Sequence, residues 1–206
     1  LQLIFQAGLP AIWSKKSYAE VTQIVEDYKI DVACFQNIFP LISPSVYFAC
    51  KHHGIPVIQR LPNYRIICAN GLLYRKGKPC EKCLKRGFYP GLIHGCYRDS
   101  RLSSAAVVAS QYIHRWLKTY SEAVTFLSAP TEFVREKYIE SGILPHRIVV
   151  KGNFIDLSVE EQAMGDYLIF SGRLDEQKGV DTLIHLIQRC NDLKLHIVGS
   201  GPRQDD

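Results

Sequence analysis

The sequence has no unbroken apolar span. One uncharged stretch, Val32 to Cys50, is of membrane length, but Gln36, Asn37, Pro40 and Pro44 divide it into strand, turn and helix start, which excludes a transmembrane reading. No secretory leader is visible, no short-period repeat recurs, and no low-complexity tract interrupts the 206 residues. Acidic excess is also missing: 25 Lys and Arg stand against 20 Asp and Glu, a formal +5. The basicity is local. The stretch 75–101 holds eight Lys or Arg against two acids, a net +6 that leaves −1 for the rest. Such a concentration points to a patch facing an anionic partner, such as lipid phosphate, nucleotide or nucleic acid, and the alternative is a solvated loop. Seven cysteines without secretory signs fit a reducing compartment. The expected location is cytoplasmic, with peripheral contact at the inner face of the membrane through 75–101.

What is present fits an α/β protein: 47% hydrophobic and 22% charged residues. The length suits one domain or a little more. A first residue Leu1 and an ending at Asp205-Asp206, soon after a strand signal, read as an excised fragment. Leu1 to Trp13 is apolar but aperiodic. Helical spacing of Tyr18, Val21, Ile24, Val25 and Tyr28 predicts a helix over 17–29, followed by a buried strand over 31–35. Ser43-Pro44 opens a second helix that Gly54 stops before a strand over 56–61. An aperiodic stretch, 62–100, precedes a long helix with a stripe of Ala105, Val108, Ala109, Tyr112, Ile113, Trp116, Leu117 and Tyr120. A strand over 123–127, a helix over 130–141 and a short strand over 146–151 complete an expected first domain, 1–151. The polar stretch 152–166 reads as a linker, and 167–206 as the start of a second domain. Cys34, Cys50 and Cys190 lie on predicted elements and read as core.

Within 62–100, Cys68, Cys80, Cys83 and Cys96 follow the spacing C-x11-C-x2-C-x12-C. A C-x2-C pair chelates from one turn and two flanking thiolates can complete a tetrahedron, so a structural zinc site is one reading, with His94 as a competing ligand. Four ordinary buried thiols, or disulfides, are the other.

The most informative stretch is Phe170 to Ile184. The apolar run Tyr167 to Phe170 ends at Ser171-Gly172, and Val180, Leu183, Ile184 and Ile187 recur at helical spacing, which predicts a buried strand, a loop and a helix. In a doubly wound sheet that loop lies at the carboxyl edge, where a helix start favours anions. Arg173 supplies a planar fork and Lys178 a point charge for a diphosphate, while Gly172 and Gly179 would let backbone come close. A solvated loop with a local ion pair is the competing reading. A second strand signal over 193–198 ends in Gly199-Ser200-Gly201, but a Pro follows and Gln204 holds the third glycine position, so the dinucleotide fingerprint of a dehydrogenase fails.

Gly172, Arg173, Lys178 and Gly179, with the second strand and its glycine turn, resemble the donor-binding domain of glycosyltransferase family 4. The run 36–71, the pair Cys80 and Cys83, and HGCYRDSR (94–101) resemble the acceptor-side domain of the same family. The resemblance implies a GT-B fold of two Rossmann-like doubly wound parallel-sheet domains, both incomplete in this chain, and a retaining enzyme. Arg173 and Lys178 would stabilise the leaving diphosphate of a nucleotide-sugar, and no catalytic metal is implied. Asn37, Asn63 and Arg65 would face the cleft between the domains, toward a saccharide or lipid-linked acceptor. Pro62 stands where relatives commonly carry His, and Gln36 where they often carry His before Asn, so no catalytic residue is assigned. The first strand with its glycine-rich loop and the later paired glutamates are not in the chain, which leads us to expect an inactive fragment of an active enzyme. The alternatives are an inactive remnant, or a zinc-stapled basic module on nucleic acid with Tyr74, Phe88, Tyr89 and Tyr97; no nucleic acid is expected on the first reading.

Overall fold

The computed structural model describes residues 10–156, 165–190 and 194–204. The chain divides into two compact units, Leu1–Phe154 and Ile155–Asp206. Most of the aperiodic start and most of the expected linker lie outside the described residues.

The first unit opens with helix α1 (Lys15–Asp27), whose orphan N–H of Ser17 is accepted by the Ser14 hydroxyl at 3.0 Å. Strand β1 (Ala33–Phe35) follows, then α2 (Ser45–His52), with Pro44 preceding its first turn. Strand β2 (Val57–Arg60) leads into the aperiodic stretch, which folds as a hairpin of β3 (Tyr74–Arg75) and β4 (Lys78–Pro79) and two five-residue helices, α3 (Lys82–Arg86) and α4 (Tyr89–Ile93). Helix α5 (Arg101–Trp116), helix α6 (Thr119–Glu122), strand β5 (Phe126–Ala129), helix α7 (Glu132–Glu140) and strand β6 (Ile148–Val150) complete the unit. The four main strands form one parallel sheet in the order β1-β2-β5-β6. Parallel neighbours need crossovers, which places every strand's carboxyl end on the same edge.

Val46, Tyr47 and Cys50 of α2 pack with Val57, Leu61, Val124, Leu127, Tyr138 and Ile148 in the main core. A second, small cluster joins Ala69, Phe88, Val107 and Val108, so the 62–100 stretch is not without a core of its own. Helix α5 also departs from its apolar stripe. Lys118 adopts a left-handed backbone, φ +51, and ends the helix before Tyr120, while Trp116 is 79% exposed. The buried face is instead Ser104, Val107, Val108, Ser110, Gln111 and His114. Two of its polar members bond to loops: Ser104 Oγ accepts from Tyr97 N at 2.9 Å, and Gln111 Nε2 donates to the Arg65 carbonyl at 2.8 Å. Of the cysteines read as core, Cys50 is buried, Cys190 half-buried and Cys34 exposed, on a strand that pairs with β2 alone among the described residues.

In the second unit β7 (Tyr167–Ser171) pairs in parallel with β8 (Lys194–Val198), and helix α8 (Val180–Arg189) lies between them in sequence. The strand expected to be buried is not: Ile169 is 65% exposed, since among the described residues of this unit the sheet has two strands and one α-helix follows the first of them. Buried here among the described residues are Leu174 in the loop and Val180 at the helix start.

Candidate functional site

In the second unit two loops leave the carboxyl ends of neighbouring parallel strands. Gly172 N donates to Val198 O at 3.0 Å, Leu174 N to Ser200 O at 3.0 Å, and Arg203 N to Leu174 O at 3.1 Å, so the loop after β7 and the glycine turn after β8 are stitched side by side. Gly199, at φ +151, supplies the close approach, and Gly172 itself has ordinary neighbours. The glycine requirement thus falls on Gly199 more than on Gly172, a point that the failed dinucleotide fingerprint concealed.

Asp175 shapes the loop between them. Its Oδ1 accepts from Lys178 N at 3.0 Å, capping the single 3-10 turn Glu176–Lys178, and its Oδ2 accepts from Arg173 Nε. Sequence reasoning missed this role, although an Asp directly ahead of a helical turn is a capping signal. The left-handed Gly179, φ +75, then turns the chain into α8. Arg173 and Lys178 are both exposed, at the strand end and next to the start of a ten-residue helix. The local ion pair exists, and it uses Nε, leaving the terminal guanidinium nitrogens of Arg173 without a recorded partner in the described residues. Being exposed, the pair adds little stability.

In the first unit Asn37, Pro62, Asn63 and Arg65 line one cavity of about 60 Å³, at the carboxyl ends of β1 and β2. Polar residues that sequence reasoning missed contribute to the same wall. Tyr47 Oη donates to Gln59 Oε1 at 2.5 Å and Gln59 Nε2 donates to the Gln36 carbonyl at 2.8 Å, while the buried Gln111 Oε1 accepts no hydrogen bond. Burial raises Tyr47 well above the ordinary tyrosine range, so it is a donor here at any physiological pH. Asn37 is exposed. Asn63 and Arg65 are half-buried, and both serve their own loop. Asn63 Oδ1 accepts from Arg65 N at 2.9 Å, and the Asn63 carbonyl accepts from Tyr138 Oη at 2.8 Å. The Arg65 guanidinium lies 5.1 Å from the ring centres of both Phe39 and Tyr97 and donates to the Ala69 carbonyl. Burial lowers its pKa, opposed by Tyr97 and Cys68.

The cysteine region gathers a third set. Cys68, Cys80, Cys83 and Cys96 all line one cavity of about 10 Å³, together with Arg75 and His94. All seven cysteines of the chain are free thiols. Burial first, and then the neighbouring Cys68, push the Cys83 thiol up to about 11, against a backbone hydrogen bond from Gly91; Cys96 and Cys80 act in the same upward sense. As the side chains stand, no three His, Cys, Asp or Glu groups among the described residues are gathered tightly enough to hold a metal ion.

Among the described residues, no helix is long and apolar enough to cross a membrane. No protein-family model matches the chain, and no curated protein matches it. Among solved structures, it is similar to UDP-N-acetylglucosamine 2-epimerase from Rickettsia bellii, at 15% identity and a TM-score of 0.40 over 92% of this chain and 44% of that one. It is also similar to MnaA from S. aureus solved with UDP, at 13% identity and a TM-score of 0.41 over 91% of this chain and 45% of the other. The chain therefore spans less than half the length of the solved proteins it matches.

Proposed function

We propose that this chain is part of a nucleotide-sugar enzyme, and that its reaction is a retaining glycosyl transfer to a saccharide or lipid-linked acceptor. The observation that carries the reading is the loop 172–179. It presents a guanidinium and an ammonium at the carboxyl end of a parallel strand, beside a helix start and stitched to a second glycine turn, which is the arrangement a diphosphate requires. The resemblance of Gly172, Arg173, Lys178 and Gly179 to the donor-binding loop of glycosyltransferase family 4 supports the finer assignment. In such a transfer the bond between the anomeric carbon and the diphosphate oxygen breaks with its electron pair leaving on the diphosphate, a new bond forms to an acceptor hydroxyl oxygen, and that hydroxyl's proton passes to the departing diphosphate. Charge builds on the departing diphosphate, and Arg173 and Lys178 offset it.

The test is binding of nucleoside diphosphates, measured calorimetrically with the complete polypeptide that carries this chain. Each charge-assisted contact contributes about 1.5–3 kcal/mol, so Arg173→Ala and Lys178→Ala are each expected to weaken binding at least tenfold. Wild-type affinity in both variants would leave these residues as surface charges. A separate assay of sugar release from the donor, with and without added acceptor saccharides, distinguishes transfer from other nucleotide-sugar chemistry.

A further inference from the structure

The four cysteines of 68–96 line one small cavity from four separate segments. Cys68 ends the turn after Arg65, Cys80 follows the β3–β4 hairpin directly, Cys83 lies on α3, and Cys96 follows α4. Elements of two to five residues cannot hold this arrangement through their own hydrogen bonds, and the local apolar cluster has four buried members. The shared cavity, about 10 Å³, fits a single water-sized occupant and excludes any organic ligand.

We propose that Cys68, Cys80, Cys83 and Cys96 form a closed tetrathiolate site for one zinc ion, which clamps the 62–100 excursion onto α5. The chemistry around the cavity fits that charge. Four thiolates and one Zn²⁺ carry a net −2, and Arg75 and Lys82 line the same space, with Arg75 Nε buried and accepted by no partner. Since no three such groups among the described residues stand close enough for a metal, binding requires the four thiols that line the cavity to move together. A site closed by four sulfurs has no open position, so the ion is structural and takes no part in a reaction. The proposal is independent of the role given to Arg173 and Lys178.

Metal content of the complete protein, purified without chelators, tests it. About one zinc per chain is expected, released in step with thiol modification, and cobalt replacement should give thiolate-to-metal charge transfer with the intense visible bands of a tetrahedral ion. Cys83→Ser should cut zinc content at least tenfold; if that variant does not fold, the wild-type cobalt spectrum decides. His94→Ala should keep its zinc. The proposal is overturned by four freely titrating thiols in metal-poor wild-type protein reconstituted with zinc. It is equally overturned by a native Cys80–Cys83 disulfide in the mass spectrum, or by loss of zinc in His94→Ala with retention in Cys68→Ser.

Discussion

A Cβ at position 199 would lie 1.8 Å from the carbonyl oxygen of Gly172, so the two strand-end loops of the second unit meet backbone to backbone. Gly199→Ala must push them apart and break the bonds from Gly172 N to Val198 O and from Leu174 N to Ser200 O. With the unfavourable backbone at φ +151 added, about 2–4 kcal/mol of stability should be lost. Gly179 has open space around it, so Gly179→Ala should cost only the left-handed backbone, about 1–2 kcal/mol. Urea unfolding followed by Tyr167 environment reports both, and an equal or smaller loss at position 199 would refute the close approach.

If the loop 172–179 binds a diphosphate as proposed, Asp175 acts as a positioning residue, since it caps the turn before α8 and holds Arg173 through Nε. Asp175→Ala should weaken nucleotide binding several-fold while leaving the pH-independent charge of the loop more positive. Asp175→Asn retains the capping oxygen but offers an amide NH2 where Arg173 Nε needs an acceptor, so it should restore only part of the affinity. If alanine binds more tightly than wild type, the carboxylate is a competitor of the ligand and not its organiser.

Arg65→Lys is expected to behave as a disruptive change. A lysine has no planar fork to lie near the rings of both Phe39 and Tyr97 while donating to the Ala69 carbonyl, and about 1–3 kcal/mol of stability should go with those contacts. Thermal melts of the variant check this, and an unchanged melting temperature would show that the two ring contacts contribute nothing.

His114 predicts a pH dependence. The Ile12 carbonyl at 2.9 Å can only accept, so Nε2 carries the proton and Nδ1 accepts from the Thr119 hydroxyl at 2.9 Å. Burial holds the imidazole below its ordinary pKa, with the Ile12 bond acting the other way. The unfolded chain therefore binds a proton that the folded one refuses, and stability, full above the ordinary histidine range near 6.5, declines as pH falls through it. Melting temperatures should drop between pH 7 and pH 5, and His114→Gln, although less stable at neutral pH, should show a shallower drop. Parallel curves for the two proteins would remove His114 as the cause.

How much of this was legible in the sequence depended on whether a signal was local. The alternation of strands and helices, the cap at Pro44 and the stops at Gly54 and Gly142 are written in neighbouring residues, and the structure follows them within a few positions. Burial was harder. The stripe ending at Trp116 and Tyr120 looked like a core face because apolar spacing says nothing about distant partners. Ser104, Gln111 and His114 are buried by hydrogen bonds to Tyr97, Arg65 and Ile12, none of which periodicity can announce. The spacing of Cys68, Cys80, Cys83 and Cys96 marked the stretch whose cavity they line, whereas the reason for Gly199 needed the carbonyl of a residue 27 positions earlier.

The parallel neighbours β2 and β5 are joined through everything between Leu61 and Thr125, so the middle of the first sheet is sealed by the chain's largest excursion. Closing a loop of that size costs entropy before any of its contacts repay it. On the ribosome, β1 and β2 emerge as a two-stranded ribbon with one side unpaired until β5 arrives. Whatever compacts residues 62–122 shortens the effective distance between those strands, and thereby sets how long an open sheet edge is available to other nascent chains.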